Sequence, residues 1–281
     1  MNSYPPAGYR YPGEHLILFG TLALVLVVIA VTATATVCGS VLFVAAMVVF
    51  AYFSTRAHHE DLMKSAVPVT PERAPGLHAL VQVMTARLGP GPVEVYVTPS
   101  RVLNAYTFGL SSPKVVVIHS ALLQVLDADE AAFVISHELG HVRLGHTWLN
   151  SLVGGLAGIP SPSAAFALMR LAFLGWNRAC EHSADRAGLL ATGKLDKAVS
   201  ALVKLATGGR ARDAVEMALA LRQVEVSDDA LLNQLGEALA THPSMARRIA
   251  ELRKFAGSRE YARLRRETTD DGRPTTAGLP L

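Results

Sequence analysis

From Leu16 through Thr55 the chain carries no charged residue, and this run of forty residues constrains the fold more than any other feature. As one helix it would reach about 60 Å, twice the hydrocarbon thickness of roughly 30 Å, so it must turn back on itself as two spans. The residues place those spans near Leu16 to Thr34 and Gly39 to Thr55, with the bend at Thr36 to Ser40. A cleaved signal peptide does not fit, because its apolar core is only about 7 to 15 residues long. A lipoprotein site at Cys38 is disfavoured, since Ala35-Thr36-Val37 lacks the usual leucine and a second apolar run follows. The bland alternative is an apolar hairpin buried in a soluble core. Against it, 51% apolar residues and a mean hydropathy of +0.30 exceed what an ordinary soluble domain carries. The bend holds no Lys or Arg whereas Arg10, Arg56 and Lys64 flank the spans, so the positive-inside rule puts both ends of the chain in the cytoplasm. Two cysteines, Cys38 and Cys180, do not make a disulfide framework and suit a reducing compartment.

The chemistry is announced by His137-Glu138-Leu139-Gly140-His141. Residues four apart share a helical face, so His137 and His141 can reach one metal while Glu138 stands beside it. The segment from Asp127 to His146 reads as one amphipathic helix, with Asp127 as N-cap and Glu130 closing a capping box. A surface helix with merely solvated histidines is the competing reading. A peptidase zinc needs a third protein ligand and an open fourth position. Leu144 and Thr147 stand where an extended motif would have Gly and His, and His146, about half a turn from His137 on a continuous helix, is expected to point away from the metal. No Asp or Glu occurs from Leu139 to Cys180; Glu181 ends that gap, and Asp185 follows four residues on. Glu181 is therefore expected as the third ligand, with His182 a weaker candidate. Asp185 is expected to accept a hydrogen bond from the far ring nitrogen of a ligand histidine. Glu138, not a ligand, would be the general base and acid.

These motifs, with Val95-Tyr96-Val97, Asn104-Ala105, the Val115 to Ser120 strand, Ala184-Asp185 and Thr241-His242-Pro243-Ser244, resemble the M48-type zinc metallopeptidases. That group holds the HtpX-like membrane proteases and the CAAX prenyl-protein proteases, and the likeness runs from about Val93 to Leu252. The resemblance implies a minigluzincin-like fold, one zinc ion per chain and endopeptidase activity at a membrane. It also implies that the strand around Asn104 and Ala105 is the sheet edge on which an extended peptide lies. His242 has two readings, an outer donor to the developing oxyanion or a residue that opens a helix and packs.

Fold class is thus expected to be α+β, mostly α: an N-terminal tail (1–14), a transmembrane hairpin (15–56), a zincin-type peptidase domain (57–256) with a small sheet, and a polar, disordered tail (257–281). Within the domain a helix is expected to start at Thr70-Pro71-Glu72, strands at Val93 onward, 105–109 and 115–119, and later helices near 197–205, 211–221, 229–240 and 244–255. The uncharged stretch Thr147 to Met169, split by Pro160 and Pro162, has arms too short to span a bilayer and is expected to form a hydrophobic hairpin over the cleft or in the near leaflet. A net charge of +3 gives no case for nucleic acid. The expected partners are a lipid bilayer of the cell membrane and polypeptide substrates, unfolded or membrane proteins, in keeping with quality control. Two alternatives stand: a CAAX-type protease, disfavoured by too few apolar spans for an intramembrane chamber, and a membrane signal transducer, disfavoured by a bend of about five residues that leaves no room for a sensor.

Overall fold

A computed structural model describes residues 4–35, 39–153, 172–209, 211, 213–227 and 244–269. The expected helix 229–240, most of the hairpin 147–169, His242 and the tail beyond 269 lie outside the described residues. Among them the uncharged run forms α2 (Glu14–Ala35) and α3 (Gly39–Ser65), preceded by the short α1 (Pro6–Tyr9). Both α2 and α3 are long and apolar enough to cross a membrane. Leu16, Phe19 and Leu26 on one, and Leu42, Phe43 and Phe53 on the other, expose their side chains.

The helix α3 runs ten residues past Thr55 and delivers Leu62 to a four-stranded sheet. The sheet comprises β1 (Val67–Pro68), β2 (Val93–Thr98), β3 (Ala105–Phe108) and β4 (Lys114–His119) in the order β1-β2-β4-β3. β2 and β4 are parallel, while β1 and β3 pair antiparallel to their neighbours, which leaves β3 as an edge. Alternation along β4 sends Val116 and Ile118 into the main core and Val115 and Val117 into a second cluster with Leu62, Tyr106 and Phe108. The His58 ring on α3 adds a 3.1 Å hydrogen-bond contact to the Tyr106 hydroxyl. The sheet is therefore covered on both faces, and the apolar hairpin is fastened to one of them.

The remaining described helices are α4 (Pro75–Leu88), α5 (Ser120–Val125), α6 (Ala128–Leu144), α7 (His146–Val153), α8 (Leu174–Thr192), α9 (Leu195–Thr207), α10 (Ala214–Ser227), α11 (Met245–Ala256) and α12 (Arg259–Thr269). The start expected at Thr70 is a turn instead: Ala74 N–H donates to Thr70 O, and α4 opens five residues later, at Pro75. The capping box on α6 is as expected, with Asp127 accepting from the Glu130 amide and Glu130 accepting from the Asp127 amide. Gly145, at φ 79°, ends α6, so the single helix expected through His146 is two.

α6 crosses α8 so closely that a Cβ on Gly140 would lie 2.7 Å from the Ala187 Cβ and one on Gly188 would lie 2.9 Å from the Phe133 ring. Small residues at this crossing bring the two helix backbones together, which sets Glu181 and Asp185 opposite His137 and His141.

Two expected tails are structured where they are described. Tyr4 and Tyr9 are buried in the main core, and the Tyr4 hydroxyl donates to Leu190 O at 2.9 Å. Residues 259–269 form α12, whose Leu264 is fully buried beside Gly8 of the N-terminal segment. Leu264 packs against the N-terminal segment, a contact between distant parts of the chain that local patterning does not encode.

Candidate metal centre

α6 is buried on nearly all sides, with Phe133, Ile135 and Leu139 in the core, yet it also buries Ser136, His137, Glu138 and His141. Burying polar groups costs free energy unless partners satisfy them, so such a helix marks a site rather than a scaffold. His137 Nε2 and His141 Nε2 face each other at 3.2 Å, and the Glu181 carboxylate lies 3.6 Å from the first and 3.5 Å from the second. The three residues converge as a group able to hold a metal ion.

The second nitrogen of each ring is also engaged. His137 Nδ1 lies 3.0 Å from Asp185 Oδ1, the contact expected of Asp185. Arg248 of α11, which the sequence did not single out, donates to both oxygens of Asp185, Nε at 2.8 Å and Nη2 at 2.6 Å, and sits 3.2 Å from Glu181. Burial alone would raise the Asp185 pKa, but the Arg248 charge and hydrogen bonds and the His137 contact hold it at about 2. An ionised carboxylate only accepts, so His137 carries its proton on Nδ1 and presents a bare Nε2.

That arrangement passes a test of fit to zinc. A tetrahedral ion bonded at about 2.0 to 2.1 Å spaces its ligand atoms roughly 3.3 Å apart, close to the separations here. Two ring nitrogens turned toward each other and a carboxylate beside them are a repulsive set without a cation among them. Glu138 is pushed up from its ordinary value, chiefly by burial and in part by Glu181, against the pull of His137, His141 and Arg248.

Other expected residues fall as follows. His182 turns to the Tyr11 ring, centroids 4.9 Å apart, rather than into the cluster. Asn104 precedes β3 and its carbonyl accepts from the His119 amide, while Ala105 pairs with Ile118. β3 lies beside α6 and α7, and Thr107 meets Thr147 at 3.3 Å. His146 departs from expectation. It is not among the three converging residues, but it does not point away: because Gly145 breaks the helix, its ring folds back and its Nδ1 lies 3.0 Å from His141 Nδ1. Its Nε2 meets Glu14 at 3.0 Å, and burial drives its pKa down to about 4 despite that carboxylate. A solitary acid at the mouth of an apolar run was the available sign of Glu14; nothing in the sequence distinguishes Arg248 from Arg247.

Comparison with known proteins agrees with this geometry. The model of Peptidase family M48 matches residues 71–256. The chain is 30% identical over 214 residues to the plastoglobule-localized metallopeptidase 48 of Arabidopsis thaliana, covering 71% of this chain and 62% of that one. It is 29% identical over 229 residues to a protease HtpX homolog of Kineococcus radiotolerans (69% and 78% covered) and 30% identical over 264 residues to one of Moorella thermoacetica (80% and 86% covered). With a family match over most of its length, and two histidines and a glutamate converging beside a buried Glu138, the chain belongs to peptidase family M48 and is a metallopeptidase, a hydrolase of peptide bonds.

Proposed function

We propose that the protein is a zinc endopeptidase anchored by the α2–α3 hairpin in the cell membrane, with its peptidase domain in the cytoplasm, and that it cleaves unfolded or misassembled membrane proteins in the manner of the HtpX-like proteases. The observation that carries the reading is the convergence of His137 Nε2, His141 Nε2 and the Glu181 carboxylate in a buried pocket next to Glu138. These three side chains would hold the zinc, which when bound supplies Lewis acidity toward a water and the scissile carbonyl. Glu138 takes the proton from the attacking water and delivers it to the leaving amine. A buried carboxylate whose proton affinity is raised suits both halves of that task. The Asp185–Arg248 pair holds the His137 ring in place and fixes its proton on the far nitrogen.

Substrate would lie along the edge of β3, from Asn104 onward, pairing through backbone groups. Such pairing selects extended chain rather than sequence, which suits a protease that clears many proteins. The exposed apolar faces of α2 and α3 support the anchor, and Arg10, Arg56 and Lys64 at its ends support the cytoplasmic orientation. The two apolar helices among the described residues do not by themselves enclose a chamber for a prenylated C-terminus.

Activity and orientation can be read in one experiment on vesicles from cells making the protein. A soluble unfolded protein added outside should be cut at internal bonds by inside-out vesicles and spared by right-side-out ones, with cutting lost on chelation and restored by zinc. Cutting by right-side-out vesicles would reverse the orientation. No cutting by either, even after detergent, would favour a transducer that uses the domain without proteolysis.

A further inference from the structure

The residue that opens the first apolar helix is a buried acid, although the run behind it is meant for lipid. Glu14 is 2% exposed and its carboxylate is held by three groups. Arg10 and the Ser183 hydroxyl both donate to it, and His146 Nε2 lies 3.0 Å from its Oε1. Ser183 Oγ also accepts the Tyr11 amide at 2.8 Å, which stitches this end of the segment to α8. Beyond His146, a 3.0 Å contact joins its Nδ1 to His141 Nδ1, so a continuous buried path links Glu14 to the metal cluster.

The proton positions along the path follow from Glu14 and its charge balance: Arg10 already neutralises the carboxylate, so the buried His146 beside it stays uncharged. A carboxylate paired with Arg10 has no proton to give, so His146 must carry one on Nε2. A neutral imidazole then has a bare Nδ1, which can only accept. His141 must therefore donate from its own Nδ1, leaving its Nε2 bare and aimed at Glu181. The Trp176 ring stands edge-on to His146, centroids 6.0 Å apart, and limits how that imidazole can turn. Glu14, His146 and Cys180 also approach one another closely enough to suggest a second metal site. The path argues against it, since His146 Nε2 carries a proton, Glu14 is already occupied by donors, and Cys180 sits in an apolar cluster with Phe173 and Trp176.

We propose that Glu14 and His146 are positioning residues for the metal site: the segment preceding the first apolar helix sets the tautomer and orientation of His141 and thereby raises its hold on the ion. The inference rests on the reading of His141 as a ligand and extends it to a part of the chain outside the region that the family model matches. It makes the entry of the membrane anchor a component of the active centre, which is complete only when Glu14 is seated against His146.

The test is zinc affinity, measured on full-length protein in detergent by competition with a chromophoric chelator, starting from metal-free samples. His146→Ala and Glu14→Gln should each weaken zinc binding by about 10 to 100-fold. Because Glu14 acts through His146, the double variant should bind no more weakly than His146→Ala. Tyr4→Phe loosens the same segment without touching the path; it should lower the melting temperature of the metal-free protein while zinc affinity stays within twofold of the wild type. Wild-type affinity in His146→Ala, additive losses in the double variant, or an equal loss in Tyr4→Phe would each overturn the proposal. If the wild type itself binds no zinc, the ligand reading fails with it, whereas tight wild-type binding unaffected by His146→Ala removes this inference alone.

Discussion

Glu138→Gln should reduce turnover of an unfolded substrate by about 10² to 10⁴-fold while the purified protein keeps about one zinc per chain. Gln has nearly the shape of Glu, so the buried pocket on α6 stays filled, and the change removes only the group that carries the proton. Glu138 is 6% exposed and stands beside the converging His137, His141 and Glu181, so no other described carboxylate is placed to substitute for it without leaving the cluster. The measurement is a steady-state rate on a quenched fluorescent peptide together with metal analysis of the same sample. Normal turnover with metal in place would end the acid–base role assigned to Glu138.

Glu181→Ala should fail at an earlier stage. With two imidazoles remaining and one anionic donor gone, zinc should fall after dialysis to below about a tenth of an ion per chain, and activity with it. The loss also leaves Arg248 without the carboxylate 3.2 Å from its Nη1, although Asp185 still accepts from its Nε and Nη2. Asp185→Asn is the informative comparison. It spares all three ligands but weakens the support of His137, and changes of that kind cost about 10 to 100-fold in affinity or activity. Breaking a buried ion pair by neutralising one partner also costs about 3 to 5 kcal/mol, so this variant should melt earlier as well. Equal zinc content in Glu181→Ala and the wild type would show that another group completes the site.

Much of the centre was legible because its spacing is local. His137, Glu138 and His141 share one turn of helix, Asp127 and Glu130 form the capping box that starts it, and Glu181 with Asp185 repeats the four-residue step on α8. The forty uncharged residues dictated a hairpin for the same reason: length and composition suffice. What the sequence hid is long-range. Arg248 meets Asp185 across 63 residues, and Glu14 meets His146 across 132. No periodicity relates such pairs: the first joins α11 to α8, and the second joins the start of α2 to the start of α7. Helical spacing alone carries His146 away from His137, but the left-handed backbone at Gly145 restarts the chain in a new direction. The Arg- and Glu-rich sequence of α12 suggests disorder by polarity alone, and its fully buried anchor, Leu264, is a single residue within it.

The central claim is the identity of the atoms around the ion, and X-ray absorption at the zinc edge of the purified wild-type protein tests it directly. The account predicts only nitrogen and oxygen neighbours at about 2.0 to 2.2 Å, with the outer-shell pattern of two imidazoles. A sulfur neighbour at about 2.3 Å would place the ion with Cys180, Glu14 and His146 instead, and would contradict the assignment of His137, His141 and Glu181.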